Sequence, residues 1–194
     1  MKIQFLKVLS TIFLVNLILN LNLPAQDYLI RTIGMGLLKC IAYSPDGTIL
    51  ASAGFSGDIY LWDVNSGTIR DTLKGHTSYV LSVAFFSDGS KLASGSWFGT
   101  IKLWDINTGV LFRTINVDLT THIYSIAVSP DGSKIASYGG GRKLNIWDVK
   151  TGSLIYSLAG HNSEIYSVAF SPDGTKLVSG GLDSELISNS SNYT

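Results

Sequence analysis

The dipeptide Trp-Asp recurs at a nearly constant interval, and this repeat constrains the fold more than any other feature of the sequence. It begins at Trp62, Trp104 and Trp147, which are 42 and 43 residues apart. An Asp-Gly pair keeps the same interval, and its aspartates are Asp46, Asp88, Asp131 and Asp173. Two independent markers with one period predict a tandem array of similar units from residue 28 onward.

Each unit has the composition of short strands separated by tight turns. Segment 80–85 is rich in β-branched and aromatic residues, and a turn containing Asp-Gly follows it. Glycine supplies the positive φ that such a turn needs. A second turn follows each Trp-Asp, at 65–67, 107–109 and 150–152, and further strands are expected at 68–73, 110–115 and 153–158. No helical period of apolar residues occurs beyond residue 25, so the sequence predicts an all-β domain.

Four strands per unit, with Trp-Asp at the end of the third strand and Gly75-His76 or Gly160-His161 before the first, resemble the WD40 repeat family. The resemblance covers roughly residues 28–183. It implies a β-propeller, in which each unit is a four-stranded antiparallel blade whose innermost strand lines a central channel. A blade has two apolar faces, so it must stack on other blades to bury them.

The number of units predicts a partial propeller of three full blades and a partial fourth. The fourth unit has strands expected at 164–170 and 176–180, and 184–194 is expected to be a polar tail or a truncated end. Residues 28–33 match the outer strands, and in the family such a leading strand completes the last blade. The chain could close as a small ring or remain an open arc that needs another copy or chain. We favour the open arc, although its uncovered apolar face is rare in soluble monomers.

The first 25 residues differ in composition from the repeats. Lys2 and Lys7 precede an apolar run over 8–23 that ends in Leu-Pro-Ala. This pattern predicts a signal peptide cleaved near Ala25, and hence export to the periplasm, a secretory lumen or the medium. An uncleaved membrane anchor is the alternative, although the run is shorter than the roughly 18 apolar residues of a spanning helix.

The resemblance also implies a structural chain of hydrogen bonds within each blade. It joins a His before the inner strand, a Ser in the second strand, an Asp in the next turn and the Trp of the third strand. The matching positions are His76, Ser94 and Trp104 in the second unit, His161, Ser179 and Asp183 in the fourth, Ser52 and Trp62 in the first, and Ser137 and Trp147 in the third. No unit carries the full set, because Ser56, Phe98 and Gly141 replace the Asp in the first three units and the fourth unit has no Trp.

These polar groups do not predict a catalytic or metal site. A hydrolase triad needs an exposed, activated hydroxyl, whereas the serines of this pattern are expected to accept from a buried indole. The turn aspartates lie one blade apart, too far to meet around one ion. The glycine-rich stretch 139–143 lacks the ending of a phosphate loop and predicts a widened turn. Cys40 aligns with Ser82, Ser125 and Ser167 and is expected to be a small buried residue. No cofactor is expected.

Large side chains are expected on one rim, where the loops from second to third strands and from outer to inner strands meet. The candidate partner-binding residues are Phe55, Tyr79, Trp97, Phe98, Arg142 and Lys143. Exposed aromatic residues near Arg are typical of interface anchors. The alternative is that Trp97 and Phe98 pack on the next blade as part of the core.

Charge and repeat architecture together favour a protein-binding scaffold without catalysis. The 14 basic and 14 acidic residues cancel, so the chain lacks the positive surface typical of nucleic-acid binding. The expected partners are another protein and, to close the ring, a second copy or further blades. Membrane contact is expected only if 1–25 remain as an anchor. The alternatives are a propeller enzyme or small-ligand receptor whose active part lies outside this chain, and a non-functional gene fragment.

Overall fold

The computed structural model describes residues 37–118, 120–139 and 143–182, which contain fourteen β-strands and no helix. The signal or anchor segment 1–25, the leading strand 28–33 and the tail 184–194 lie outside these residues. The strands are β1 Leu38–Tyr43, β2 Ile49–Gly54, β3 Ile59–Asp63, β4 Ile69–Leu73, β5 Val80–Phe85, β6 Lys91–Ser96, β7 Thr100–Asp105, β8 Leu111–Asn116, β9 Ser125–Val128, β10 Lys134–Tyr138, β11 Lys143–Asp148, β12 Leu154–Ala159, β13 Ile165–Phe170 and β14 Leu177–Gly181.

The strands pair antiparallel, each with its neighbour in the sequence, and form separate sheets that follow the repeat. We call them blade 1 (β1 to β4), blade 2 (β5 to β8), blade 3 (β9 to β12) and blade 4, of which β13 and β14 are described. The third strand of each full blade ends at the Asp of Trp-Asp, as the sequence predicts. The carboxylate of this Asp then caps the next turn, as when Asp148 Oδ1 accepts from the Thr151 backbone N–H at 2.6 Å.

Successive blades pack face to face around their inner strands. Strand β5 packs beside β1 and β2, β9 beside β5 and β6, and β13 beside β9 and β10. Within the described part of the chain the sheets do not close into a ring. The all-β class and the partial propeller predicted from the repeat are therefore confirmed.

Each junction between blades is a core built from one bulky face and one face with small residues. We call the face of a blade that packs on the preceding blade its front face, and the opposite one its back face. Between blades 1 and 2, Trp104 and Val83 of the blade 2 front face pack on Ala51 and Ala53 of the blade 1 back face. The next junction repeats this arrangement, with Trp147 in the same core as Ala93 and with isoleucines from both blades. Burial at these junctions supplies the apolar cores of the fold.

Candidate functional site

Aromatic rings from all four blades form one continuous row on a single rim. Strands alternate in direction, so the turn after each second strand and the connection entering each inner strand lie at the same end of the blade. We call this group the rim row, and its members are Phe55, Tyr79, Trp97, His122, Tyr124 and Tyr166. The turns β2–β3 and β6–β7 supply Phe55 and Trp97, and the others lie at or just before inner strands.

The first half of the row joins blades 1, 2 and 3. The ring centroids of Phe55 and Tyr79 are 4.5 Å apart, and those of Tyr79 and Trp97 are 6.1 Å apart in an edge-on arrangement. Trp97 stacks on His122 at 3.8 Å. His122 is further fixed because its Nδ1–H donates to the Trp97 carbonyl oxygen, 2.6 Å away. These spacings are those of favourable aromatic pairs.

The second half continues from blade 3 to blade 4. Tyr124 meets His122 at 5.7 Å and Tyr166 at 5.8 Å, both edge-on. Burial raises the pKa of Tyr124, and the nearby Glu164 carboxylate raises it further. The Tyr166 hydroxyl donates to Glu164 Oε2 at 2.8 Å, which raises the pKa of Tyr166. Both hydroxyls are therefore neutral hydrogen-bonding groups at ordinary pH.

Opposite charges stand at the two ends of the row. Lys39 Nζ lies 4.9 Å from the centroid of the Phe55 ring, within the range of a cation–π interaction. Glu164 stands at the other end, beside Tyr166. The rim thus presents an apolar strip with a cation at one end and an anion at the other.

The structure places the rim residues chosen from sequence in different surroundings. Phe55, Tyr79 and Trp97 belong to the row, and Phe55 and Tyr79 are exposed. Phe98 is exposed by 49%, whereas Trp97 is half-buried against His122 of the next blade. The alternative that these two aromatic residues pack on the next blade therefore holds for Trp97, whereas Phe98 is exposed.

The sequence placed both basic rim candidates in a loop, and the structure describes only one of them. Lys143, expected in a loop, is instead the first residue of β11, where it pairs with Ala159 and remains exposed. The backbone pairing with β12 therefore extends the strand one residue into the segment expected to be a turn. Arg142 lies outside the described residues.

Sequence reasoning did not select Lys39, His122, Tyr124 or Tyr166. A signal was available, because His122 occupies the same position before its inner strand as Tyr79, and Tyr124 and Tyr166 occupy one shared position two residues further on.

Inside the blades, the structure brings the indoles and serines together. The Nε1–H of Trp62 donates to Ser52 Oγ at 2.8 Å, and the Nε1–H of Trp104 donates to Ser94 Oγ at 2.8 Å. The third pair is Trp147 with Ser137, at 2.9 Å. In blade 4, His161 Nε2 lies 2.7 Å from Ser179 Oγ. Asp183 lies outside the described residues.

In blade 2 the network extends to a second hydroxyl. His76 Nε2 lies 2.7 Å from Ser94 Oγ, and His76 Nδ1 lies 3.3 Å from Thr100 Oγ1. A neutral ring with the proton on Nδ1 satisfies both contacts, since Nδ1–H donates to Thr100 and Nε2 accepts from Ser94. Burial lowers the pKa of His76 to about 3, and the charge of Lys102 contributes in the same direction. The imidazole is therefore neutral in the folded chain at ordinary pH.

Because the His76 imidazole is neutral in the folded chain, the free energy of unfolding should decrease in acid. The unfolded chain binds a proton at His76 near pH 6.5 and the folded chain only near pH 3, so stability falls as the pH drops below 6.5. Between pH 6.5 and 4.5 the loss due to His76 should be about 2 kcal/mol. Urea unfolding of the His76→Gln variant should show a flatter pH dependence than the parent over this window. Parallel pH profiles for the two proteins would contradict the assignment.

The Ser94 hydroxyl and the Cys40 thiol are held in states that do not favour nucleophilic attack. Ser94 Oγ lies between Trp104 and His76, so its hydroxyl is not free to act as a nucleophile. Burial raises the pKa of the Cys40 thiol to about 12, and the half-buried side chain is therefore in its unreactive form. No group of three or more metal-binding side chains occurs among residues 37–118, 120–139 and 143–182.

A cleft of about 520 Å³ lies at the opposite rim, between the turns of blades 1 and 2. The carboxylates that line this cleft, Asp46 and Asp88, already accept hydrogen bonds within their own turns. The Ser44 hydroxyl donates to Asp46 and lowers the pKa of that carboxyl, and the Ser90 backbone N–H has the same effect on Asp88. In the same described residues, no helix has the length and apolar character needed to cross a membrane.

The stacked sheets and the repeated Trp–Ser pairs define the class of the molecule as a β-propeller-type repeat protein. The family model described as WD domain, G-beta repeat matches residues 30–63, 67–105, 112–148 and 152–187. These matches cover most of the chain, and the chain belongs to the WD40 family. No curated protein matches it. Members of this family generally act as non-catalytic scaffolds for protein–protein interaction.

Proposed function

We propose that this chain is a non-catalytic scaffold that binds another protein through the rim row. The observation that carries the proposal is the unbroken line of aromatic rings across four blades, with exposed members at Phe55, Tyr79 and Tyr166. Rigid aromatic side chains give large contact area at low entropic cost, and they are enriched among the residues that dominate binding energy.

The shape of the surface favours a polypeptide ligand over a small molecule. Small-molecule sites are concave and enclose most of their ligand, whereas the rim row is a strip along an edge. An extended segment could contact successive rings, and its charged side chains could pair with Lys39 and Glu164 at the ends. Export of the protein is also proposed, and it rests on the sequence of residues 1–25 alone.

A library of random peptides displayed on phage tests the proposal without knowledge of the natural partner. Peptides selected on the parent protein should bind the Phe55→Ala/Tyr79→Ala variant at least about tenfold more weakly, because two exposed aromatic anchors of the rim row are lost. The matched control is Val110→Ala, which removes an exposed apolar side chain beside the turn after β7, at the opposite rim.

The control should change affinity by less than about twofold, and both variants should melt within a few degrees of the parent. Two results would refute binding at this rim: a library that yields no enriched peptide, or peptides that lose affinity only with Val110→Ala.

A further inference from the structure

The central part of the rim row forms two angular corners. Tyr79 and Trp97 meet at an interplanar angle of 61°, and His122 and Tyr124 meet at 87°. Both corners belong to blades 2 and 3, each of which has a described neighbour on both sides. Flat ligands such as nucleobases stack on a ring face, whereas a corner between two rings receives a ridge. The surface therefore fits a ligand that presents compact apolar ridges.

Hydrogen-bond donors at these corners have no partner in the protein. The hydroxyls of Tyr79 and Tyr124 and the indole Nε1–H of Trp97 donate to no residue within 37–118, 120–139 and 143–182. The other three tryptophans each donate to a serine inside their own blade. Tyr79 is 40% exposed, and the donor atoms of Trp97 and Tyr124 are not buried. A ligand in the corners must therefore supply hydrogen-bond acceptors.

Two backbone acceptors at the same place are already used. The Tyr79 carbonyl oxygen accepts from the Trp97 backbone N–H at 2.9 Å, and the Trp97 carbonyl oxygen accepts from His122 Nδ1–H. Each backbone N–H of a ligand that this surface covers needs an acceptor, and leaving it without one is costly. Proline has no backbone N–H, and its ring is a compact apolar ridge. The corners therefore favour a chain rich in proline.

The spacing of the corners indicates how the prolines are arranged. Along the row, the corner centres are separated by half of the 6.1 Å step from Tyr79 to Trp97, the 3.8 Å stack of Trp97 on His122, and half of the 5.7 Å step from His122 to Tyr124. The corners thus lie no more than about 10 Å apart. A polyproline II helix repeats every three residues, or about 9 Å. Prolines three residues apart therefore match the two corners.

We propose that the rim row binds a proline-rich segment in the polyproline II conformation, with one proline in each corner. The carbonyl groups of such a helix make no hydrogen bonds within it, so they accept from Tyr79, Trp97 and Tyr124. The helix is formed before binding, so little conformational entropy is lost on docking. This inference rests on the proposed function, because it names the chemistry of the polypeptide that the rim row binds.

Fluorescence anisotropy with two labelled peptides tests the spacing. Both peptides have ten residues, of which four are proline and the rest alanine. The first has proline at positions 1, 4, 7 and 10, and the second at positions 1, 3, 5 and 7, so that no two of its prolines are three residues apart. The parent should bind the first with a Kd below about 1 mM. It should bind the second at least about threefold more weakly, because only one corner is filled.

Two variants test the hydrogen bonds without removing an aromatic ring. Tyr79→Phe and Trp97→Phe should each weaken binding of the first peptide at least about threefold, because a ligand carbonyl loses its donor. The matched control is Tyr43→Phe, which removes the hydroxyl of an exposed tyrosine where β1 ends, at the opposite rim, and should leave the affinity unchanged. Tyr79→Phe removes one exposed atom, so its melting temperature should equal that of the parent, and it decides the outcome if Trp97→Phe loosens the stack on His122.

Three results would overturn this proposal: equal affinity of the parent for the two proline peptides, binding of neither peptide, or unchanged binding of the first peptide to Tyr79→Phe. The phage-selected peptides separate such a failure from failure of the proposed function. If they still lose affinity for the Phe55→Ala/Tyr79→Ala variant, the rim row binds a polypeptide of different chemistry and only the proline assignment is wrong. If they bind that variant as they bind the parent, the rim row is not the binding site and both proposals are wrong.

Discussion

Replacing Gly95 with valine is expected to lower the free energy of unfolding by more than about 3 kcal/mol. Even the first added carbon would lie 2.4 Å from Ile123 Cγ2 and 2.8 Å from Ile126 Cδ1, so blades 2 and 3 would have to separate. The melting temperature should fall by about 10 °C for a chain of this size. Thermal and urea unfolding of the purified variant measure both quantities.

The matched control for this variant is Gly180→Val, at the equivalent position in blade 4. Its Cβ meets nothing within 4 Å, and valine suits a strand, so the stability of the single chain should change by less than about 0.5 kcal/mol. Adding Ile123→Ala to Gly95→Val should recover part of the lost stability, because it removes the side chain that lies nearest to the added valine. Equal costs at both glycines would contradict packing of blade 3 on blade 2.

Replacing Trp104 with alanine is expected to cost about 4 kcal/mol. The indole is 1% exposed, packs in the core between blades 1 and 2, and donates to Ser94 Oγ, which would lose a partner. The same replacement at Trp62 should also be costly, because its indole is 4% exposed and makes the same bond to Ser52.

A double-mutant cycle separates the hydrogen bond of Trp104 from its packing. Ser94→Ala alone should cost about 2 kcal/mol, because it leaves the indole N–H unpaired in the core. Combining it with Trp104→Phe should cost less than the sum of the single changes, because both remove one bond. Additive costs would show that the bond contributes nothing to stability, and a tolerated Trp104→Ala would show that the core between blades 1 and 2 is not formed.

The strand pattern was predictable from sequence because its causes are local. Turn glycines with positive φ, such as Gly47 and Gly89, and the capping carboxylate after each third strand recur with the period of the repeat. The predicted outer strands 68–73, 110–115 and 153–158 differ from the observed ones by at most one residue at each end. Family membership follows from the same markers.

The rim row was only half predictable because it depends on contacts between blades. Phe55, Tyr79 and Trp97 are unusual residues for turns and attracted attention individually. That Trp97 stacks on His122 is decided by how blade 3 lies against blade 2, which no single repeat encodes. The loop expected at Lys143 was wrong for a different reason, since pairing with Ala159 inside blade 3 extends β11 to that residue.

The central claim is that consecutive sheets are stacked face to face, and the nuclear Overhauser effect between Gly95 and Ile123 tests it most directly. The two residues lie in different blades, and the Cγ2 of Ile123 approaches the Gly95 backbone within the range of this effect. The account predicts a strong cross-peak between the Gly95 Hα protons and the Ile123 γ2 methyl group. Cross-peaks within each sheet, with none between Gly95 and Ile123, would contradict it.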